Sequence, residues 1–463
     1  MTRVQALSSA FVRRVTFPLW ALRDHPYYYL YERESENAQF LPRLQLEELQ
    51  LTRLQALLKH AYSECPFYRD RMNAAGLKPE RISAVADIAS LPPLTKRDIQ
   101  DHAIDICASS FDPSERARNQ TGGSTGSPLQ FWVDRKRLDS RLASTMRHNG
   151  WTGLRAGDWC AEIWGNRLDQ HLSESLWSRT RNALLYRTLE LNTSSFGDAD
   201  FSAYVERLRR HRPQFLVAYA KAAAFFARWI RDNGVKDIRF DAVITTAEVL
   251  TPNDRADIED VFRARVFNRY GCREVSVIAS ECEKHAGLHV NADMLLVEIV
   301  RVPEYPAPFG KVLITDLLNY SMPLIRYEIG DVSAWATQQN CACGRSLPML
   351  SEVHGRVTDF ISLRDGRFVS GPALTLVVSD MPEVRQVQFV QQNQDHITLR
   401  VVRGEGYDHS TTAELQRRLA PYLNGAAQID IQHVDQIKAE ASGKYRFVIS
   451  DYSREGAHQA GAN

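Results

Sequence analysis

The segment Thr121-Gly122-Gly123-Ser124-Thr125-Gly126-Ser127-Pro128 sets three glycines among serine and threonine hydroxyls. Glycines let a backbone approach a ligand closely and adopt positive φ. The N–H groups of such a loop, helped by hydroxyls, can cradle phosphate oxygens. It is not the P-loop pattern, which needs a lysine after its last glycine, and no lysine stands inside it. A second group with chemical potential is Cys282 and His285, with His289 close behind, followed roughly 50 residues later by Cys341 and Cys343. Thiolates and imidazoles are the usual ligands of structural zinc, and two short pairs can close a tetrahedron. Pairs this far apart imply a clamp between loops of a larger fold. His285 has the tidier local spacing to Cys282, and either histidine could be the fourth ligand.

Further short segments follow the glycine loop in order: Thr246-Ala247-Glu248, Tyr270-Gly271-Cys272-Arg273-Glu274, Arg326-Tyr327-Glu328-Ile329-Gly330-Asp331, Gly355-Arg356-Val357-Thr358-Asp359 and Ser442-Gly443-Lys444-Tyr445-Arg446. Together with HAYSECPFYRDRM and LPPLTKRDI near the start, this series resembles the adenylate-forming superfamily of acyl-CoA synthetases. The resemblance is strongest to the phenylacetate-CoA ligase-like branch, including the CapK proteins of capsule-polysaccharide clusters, and runs from about residue 45 to 450.

The resemblance implies a role for each segment. Residues 121–127 hold the β- and γ-phosphates of ATP. Glu274 helps bind Mg²⁺, Asp331 accepts hydrogen bonds from the ribose, Ala247, Glu248 and Tyr270 frame the adenine, and Gly271 belongs to the same nucleotide site. Arg356 contacts the nucleotide beside a hinge at Asp359, and Lys444 reaches the α-phosphate and the incoming carboxylate. Zinc at the cysteine cluster is also implied, with His289 the better match to the branch. The expected reaction is attack of a carboxylate oxygen on the α-phosphorus of ATP, releasing pyrophosphate. Both reactants are anionic, so catalysis is mostly positioning and electrostatic stabilisation. The acyl group then passes to coenzyme A, or alternatively to an amine in polysaccharide or secondary-metabolite synthesis. A catalytically inactive relative serving as a scaffold is a further reading, opposed by the intact Lys444, Asp331 and Glu274. A transferase of another fold, suggested by the glycine loop alone, is opposed by the later motifs. The carboxylic acid itself is not identified; its pocket is expected near residues 160–166, 215–220 and 245–250.

The elements that must position these residues alternate in type. Residues 44–63 have apolar positions at helical spacing, and Thr95 is placed to cap a short helix. LQFWV, FLVAYA, DAVITTAEVL, ARVFNRYG and GKVLITDL read as strands among helices, so the expected core is α/β. Beyond about residue 358, VRQVQFVQQ, HITLRVVR and QIDIQHV read as strands and TTAELQRRLAPYL as a helix. The expected architecture is therefore a large N-terminal adenylating core of β-sheets flanked by helices (1–357), plus a small mobile α+β C-terminal domain (358–463).

The 463 residues carry 57 Lys plus Arg against 56 Asp plus Glu. This balance gives no global field for nucleic acid. Seven cysteines, few and odd in number, argue against a disulfide scaffold and fit a reducing cytoplasm. No apolar run is long enough for a transmembrane helix. The opening MTRVQALSSAFVRRVTFPLWALRDH is cationic and aromatic. Phe11, Trp20 and Leu22 are expected to pack on the main body, with a membrane surface as the alternative. Oligomeric state is left open.

Overall fold

The computed structural model describes residues 3–450 apart from 121–128, 165–175, 193–197, 249, 251, 302–306, 355–359, 366–367, 371–373, 375–376, 379–380, 382, 424 and 438–447. Its centre is an eleven-stranded mixed sheet. One half is parallel: β3 (Cys160–Trp164), β4 (Thr188–Asn192), β5 (Phe215–Tyr219), β6 (Ala242–Thr246) and β7 (Arg265–Cys272), side by side as β4-β3-β5-β6-β7. FLVAY and AVITT are near-continuous apolar runs, as strands covered on both faces require. Crossover helices cover them. In Ala220–Asp232, for example, Ala223, Phe226, Ala227 and Ile230 are buried against this half of the sheet.

The other half is antiparallel. From β7 the order continues through β8 (Ser276–Glu281), β9 (Leu288–Val290), β13 (Met349–His354), β12 (Tyr327–Trp335) and β11 (Gly310–Asp316) to β10 (Leu295–Val300). Its core is shared with the helix Arg43–Glu64, which buries Leu46, Leu54, Leu57, Leu58 and Ala61. Thr95 caps its helix as expected: Asp98 N–H donates to Thr95 Oγ1 at 3.1 Å, and Thr95 N–H donates to Asp98 Oδ2 at 2.8 Å. A separate two-stranded ladder pairs β1 (Arg116–Gln120) with β2 (Gln130–Asp134), antiparallel out to Gln120 opposite Gln130.

A third core is drawn from Ile361 to Val448. It contains the short hairpin β14 (Phe360–Ser362) and β15 (Phe368–Ser370). A four-stranded sheet adjoins it, in the order β18 (Gln428–His433), β17 (His396–Arg403), β16 (Val384–Gln391), β19 (Val448–Ser450). The helix His409–Leu423 buries Leu415, Leu419 and Leu423 into the same core.

One expectation holds only in part at the N-terminus: Trp20 packs on the main core, but Phe11 and Leu22 do not. The first 22 described residues form a continuous helix, Arg3–Phe11, Val12–Thr16 and Phe17–Asp24, whose middle segment is a π-helical turn. Phe11 and Leu22 are exposed, and Trp20 is half-buried beside Phe17. Ser9, Val12 and Ala21 face the body instead. Small side chains let the helix lie close there: a Cβ on Gly157 would come within 2.5 Å of Ser9 O. No helix among the described residues is long and apolar enough to cross a membrane.

Candidate active site

The carboxyl ends of β6 and β7 lie in register, Thr246 beside Arg269. In open α/β sheets this edge is where ligands bind. Here it carries two of the sequence motifs. Beyond β6, Ala247 takes a left-handed φ of 66° and is exposed, while Glu248 is buried. Beyond the β7 register shift at Tyr270/Gly271, a Cβ on Gly271 would sit 2.6 Å from Ser276 O, so only glycine fits the turn into β8. Tyr270 is thereby aimed across the sheet, where its hydroxyl donates to Asp331 Oδ2 at 3.0 Å. Asp331 stands on β12, following Gly330 at φ 88°. Residues 61 apart in sequence meet in a single phenol–carboxylate bond.

Glu274 lies in the turn after β7 and is buried. Its Oε1 accepts from the Tyr327 hydroxyl at 2.9 Å. The neighbouring Arg273 reaches back to the glycine-loop stem, Nη1 donating to Gln120 O at 3.2 Å. Tyr270, Arg273 and Glu274 thus connect β12 and the end of β1. Thr121, Gly122, Gly123, Ser124, Thr125, Gly126 and Ser127 lie outside the described residues, as do Arg356, Asp359 and Lys444.

Beneath the turn runs a helix whose buried polar face the sequence reading did not single out. Arg135–Thr152 buries Arg137, Asp139, Ser140, Arg141, Arg147 and His148. Arg141 donates to the carbonyl oxygens of Arg273 (3.2 Å) and Glu274. Arg137 donates to Val275 O at 2.9 Å and to Asp316 Oδ2 at 2.7 Å. Two guanidiniums therefore hold three consecutive carbonyls of the motif turn. Burial, with Arg137 adding repulsion, pushes Arg141 down to about 10, so it stays charged near neutrality. Burial alone does the same to Arg269, which bonds Asn149 Oδ1 at 2.6 Å. The signal was available: polar residues at 137, 140, 141, 144, 147 and 148 recur at the spacing of one helix face. In isolation that pattern reads as a solvated face.

The ligand atoms of Cys282, His289, Cys341 and Cys343 all lie within 4.8 Å of one another. Cys282 Sγ is 3.7 Å from Cys341 Sγ, and Cys343 Sγ is 3.4 Å from His289 Nε2. His289 Nδ1 faces Leu347 O at 3.4 Å, which makes Nδ1 the donor and leaves Nε2 for the cluster. Burial lowers His289 to about 4, so the ring is neutral near pH 7. Burial pushes the Cys282 thiol up to about 12. Cys343 runs the other way: burial disfavours its thiolate, but the Arg345 backbone N–H and guanidinium hold it below the usual thiol range. His285 does not join the four. Its backbone turns at φ 51°, its ring lies 4.7 Å from that of Phe267, and its Nδ1 faces Glu281 Oε2 at 3.2 Å.

The model of the CapK C-terminal domain family matches residues 361–451. The chain is 27% identical over 366 residues to the phenylacetate-coenzyme A ligase of Thermus thermophilus, covering 77% of this chain and 79% of that protein. It is 24% identical to the Escherichia coli enzyme of the same name, covering 69% and 73%. The C-terminal segment thus matches the CapK C-terminal domain, and most of the chain is similar to phenylacetate-coenzyme A ligases. A crystal structure of 2-hydroxyisobutyryl-CoA ligase, with 2-HIB-AMP and CoA, superposes at TM-score 0.61 and 21% identity, covering 92% of this chain and 94% of that one. Tyr270 and Glu274, on β7 and the turn after it, and Asp331 on β12 therefore belong to a fold shared with that ligase.

Proposed function

We propose that this protein activates a carboxylic acid with ATP and passes the acyl group to coenzyme A. The observation that carries the reading is the Tyr270–Asp331 bond across β7 and β12, next to a turn that Arg273 ties to the glycine-loop stem. It occurs in a chain whose curated relatives are phenylacetate-CoA ligases.

In the first half-reaction a carboxylate oxygen attacks the α-phosphorus, and the bond to the β-phosphate bridging oxygen breaks. Acyl-AMP forms and pyrophosphate leaves. Main-chain N–H groups of residues 121–127 hold the triphosphate, Asp331 accepts from the ribose hydroxyls, and Tyr270 fixes that carboxylate while its ring borders the adenine beside Ala247 and Glu248. Glu274 is the candidate ligand for Mg²⁺, which would offset charge on the leaving pyrophosphate. Lys444 supplies a compact cation on a long stem to the α-phosphate and the carboxylate, and Arg356 contacts the nucleotide near Asp359. In the second half-reaction the thiol sulfur of coenzyme A attacks the acyl carbon, the acyl–phosphate bond breaks, and AMP leaves. The region after 358 is read as a mobile lid that turns between the two steps, a common gating device.

Cys282, His289, Cys341 and Cys343 are read as a structural zinc site. Tetrahedral zinc with bonds of about 2.3 Å to sulfur and about 2.0–2.1 Å to nitrogen separates its ligands by about 3.8 Å (S–S) and about 3.6 Å (S–N). The observed 3.7 and 3.4 Å fit. Four protein ligands leave no open position, so the ion would clamp the β8–β9 turn to the loop before β13.

The test is pyrophosphate release across a panel of carboxylic acids, with and without coenzyme A. An acid-dependent release, with thioester formed only when coenzyme A is present, is the expected result. Release followed by transfer only to an added amine would replace the acceptor. No release with any acid, together with no thermal shift on adding ATP and Mg²⁺, would overturn the reading.

A further inference from the structure

The N-terminal helix is seated by one face only. Ser9, Val12 and Ala21 are buried. Arg13 donates to Asp158 Oδ1 at 2.8 Å and to Ala156 O at 3.1 Å, and Arg187 Nη1 reaches Ser8 Oγ at 3.2 Å. The opposite face presents Leu7, Phe11, Val15, Leu19 and Leu22 at 73, 51, 39, 64 and 63% exposure. These five span the chain's N-terminal helix as a stripe. Steps of four residues drift by about 40° in an ideal α-helix. The π-helical turn at Val12–Thr16, wound with more residues per turn, takes out part of that drift and keeps the stripe on one side. The stripe continues onto the neighbouring segment: Thr16 Oγ1 donates to Leu184 O at 2.6 Å, and the Leu184 side chain is 48% exposed.

The rim is cationic. Arg13 and Arg23 are paired with Asp158 and Asp24. Arg14 on the helix, and Arg181, whose guanidinium lies 5.0 Å from the centre of the Tyr186 ring that meets Trp20, are exposed with no carboxylate within salt-bridge distance among the described residues. An apolar stripe bordered by arginines, on a helix not apolar enough to span a bilayer, has the make-up of an interfacial helix lying in the headgroup plane. A second copy of the chain is the poorer occupant, because a self-complementary contact would bring these arginines against their own images.

We infer that this face docks on an anionic phospholipid surface, the stripe entering the acyl boundary and Arg14 and Arg181 meeting lipid phosphates. The inference does not depend on the adenylation reading. It places the protein at a membrane surface by way of its N-terminal helix.

The experiment is flotation of the full chain with vesicles of phosphatidylcholine alone or of phosphatidylcholine with phosphatidylglycerol. The protein should float with the anionic vesicles. Binding should fall as ionic strength rises from about 0.1 M to about 1 M, which cuts the screening length from ~10 Å to ~3 Å. The double variant Phe11→Glu/Leu19→Glu alters two solvent-facing side chains and should keep the melting temperature and the vesicle-free adenylation rate while losing binding by more than ~10-fold. Arg14→Gln and Arg181→Gln should each weaken binding about fivefold. Equal binding to neutral vesicles, or binding unchanged in the double variant, overturns the proposal. So does a failure to float, and a concentration-dependent dimer that the double variant abolishes would then assign the stripe to a second copy.

Discussion

Replacing Tyr270 by Phe removes one oxygen atom and leaves the ring. The hydroxyl lies 3.0 Å from Asp331 Oδ2, and the tyrosine is buried. A hydrogen bond to a charged group contributes about 1.5–3 kcal/mol. If that bond holds the Asp331 carboxylate in position for the ribose, its loss should reach the nucleotide. The expected fall in kcat/KM for ATP is then between ~10-fold and ~150-fold. It should appear mainly as a raised KM, because the ribose is held alike in ground and transition states. Stability should change little, with a melting shift of no more than about 2–4 °C per kcal/mol lost. ATP–pyrophosphate exchange, run with the acid found by the pyrophosphate screen, measures the effect. A double-mutant cycle sharpens it: in an Asp331→Asn background, Tyr270→Phe should cost almost nothing further. If Tyr270→Phe leaves KM for ATP within about twofold of the starting value, or if the two substitutions are additive, the bond does not serve nucleotide binding and the ribose role of Asp331 is wrong.

Lys444→Ala should keep the thermal shift given by ATP and Mg²⁺ yet slow adenylate formation by about 10²–10³-fold; wild-type exchange in that variant would remove Lys444 from the chemistry. Protein purified without chelator should hold about one zinc per chain, lost in Cys343→Ser and in His289→Ala but retained in His285→Ala, as read by elemental analysis. Asp257 accepts from Arg228 Nε at 2.6 Å and Arg231 Nη1 at 2.7 Å, and although burial opposes its charge, these bonds hold its carboxyl below the ordinary range. A depressed carboxyl stabilises the fold above its unfolded value near about 4 and loses that contribution as pH falls through the folded one. Asp257→Asn should therefore lower the melting temperature at pH 7, and the difference from the unmodified protein should shrink below about pH 4; a difference independent of pH would show that charge is not its origin.

The motifs were legible because each demands particular residues in a local order, and a local order survives in one dimension. Strand β6, the capped helix after Thr95 and the strands of the C-terminal core were legible for the same reason: periodicity, caps and turns act within a few residues of themselves. Sequence spacing left two histidines open at the cysteine cluster. Only the folded chain separates them, because β9 carries His289 toward Cys343 while the preceding turn points His285 at Glu281. The same holds at the N-terminus, where periodicity marks Phe11 and Leu22 as one face of a helix but cannot say which face meets the body.

By itself the sequence determined the chemistry on offer: a lysine-free glycine loop, a tyrosine, two acidic residues and a late lysine, each set in its own short motif. Tertiary structure decided which of these meet. The antiparallel strands after β7 extend the parallel sheet, and that continuity brings Asp331 to Tyr270 across 61 positions of chain. It also buries Arg137 and Arg141 beneath the motif turn, where their charges are matched by the carbonyls of that turn and by the Asp316 carboxylate of β11. The physical reason is that a buried charge is tolerated only where its partners arrive, and the partners of these arginines come from segments more than a hundred residues away.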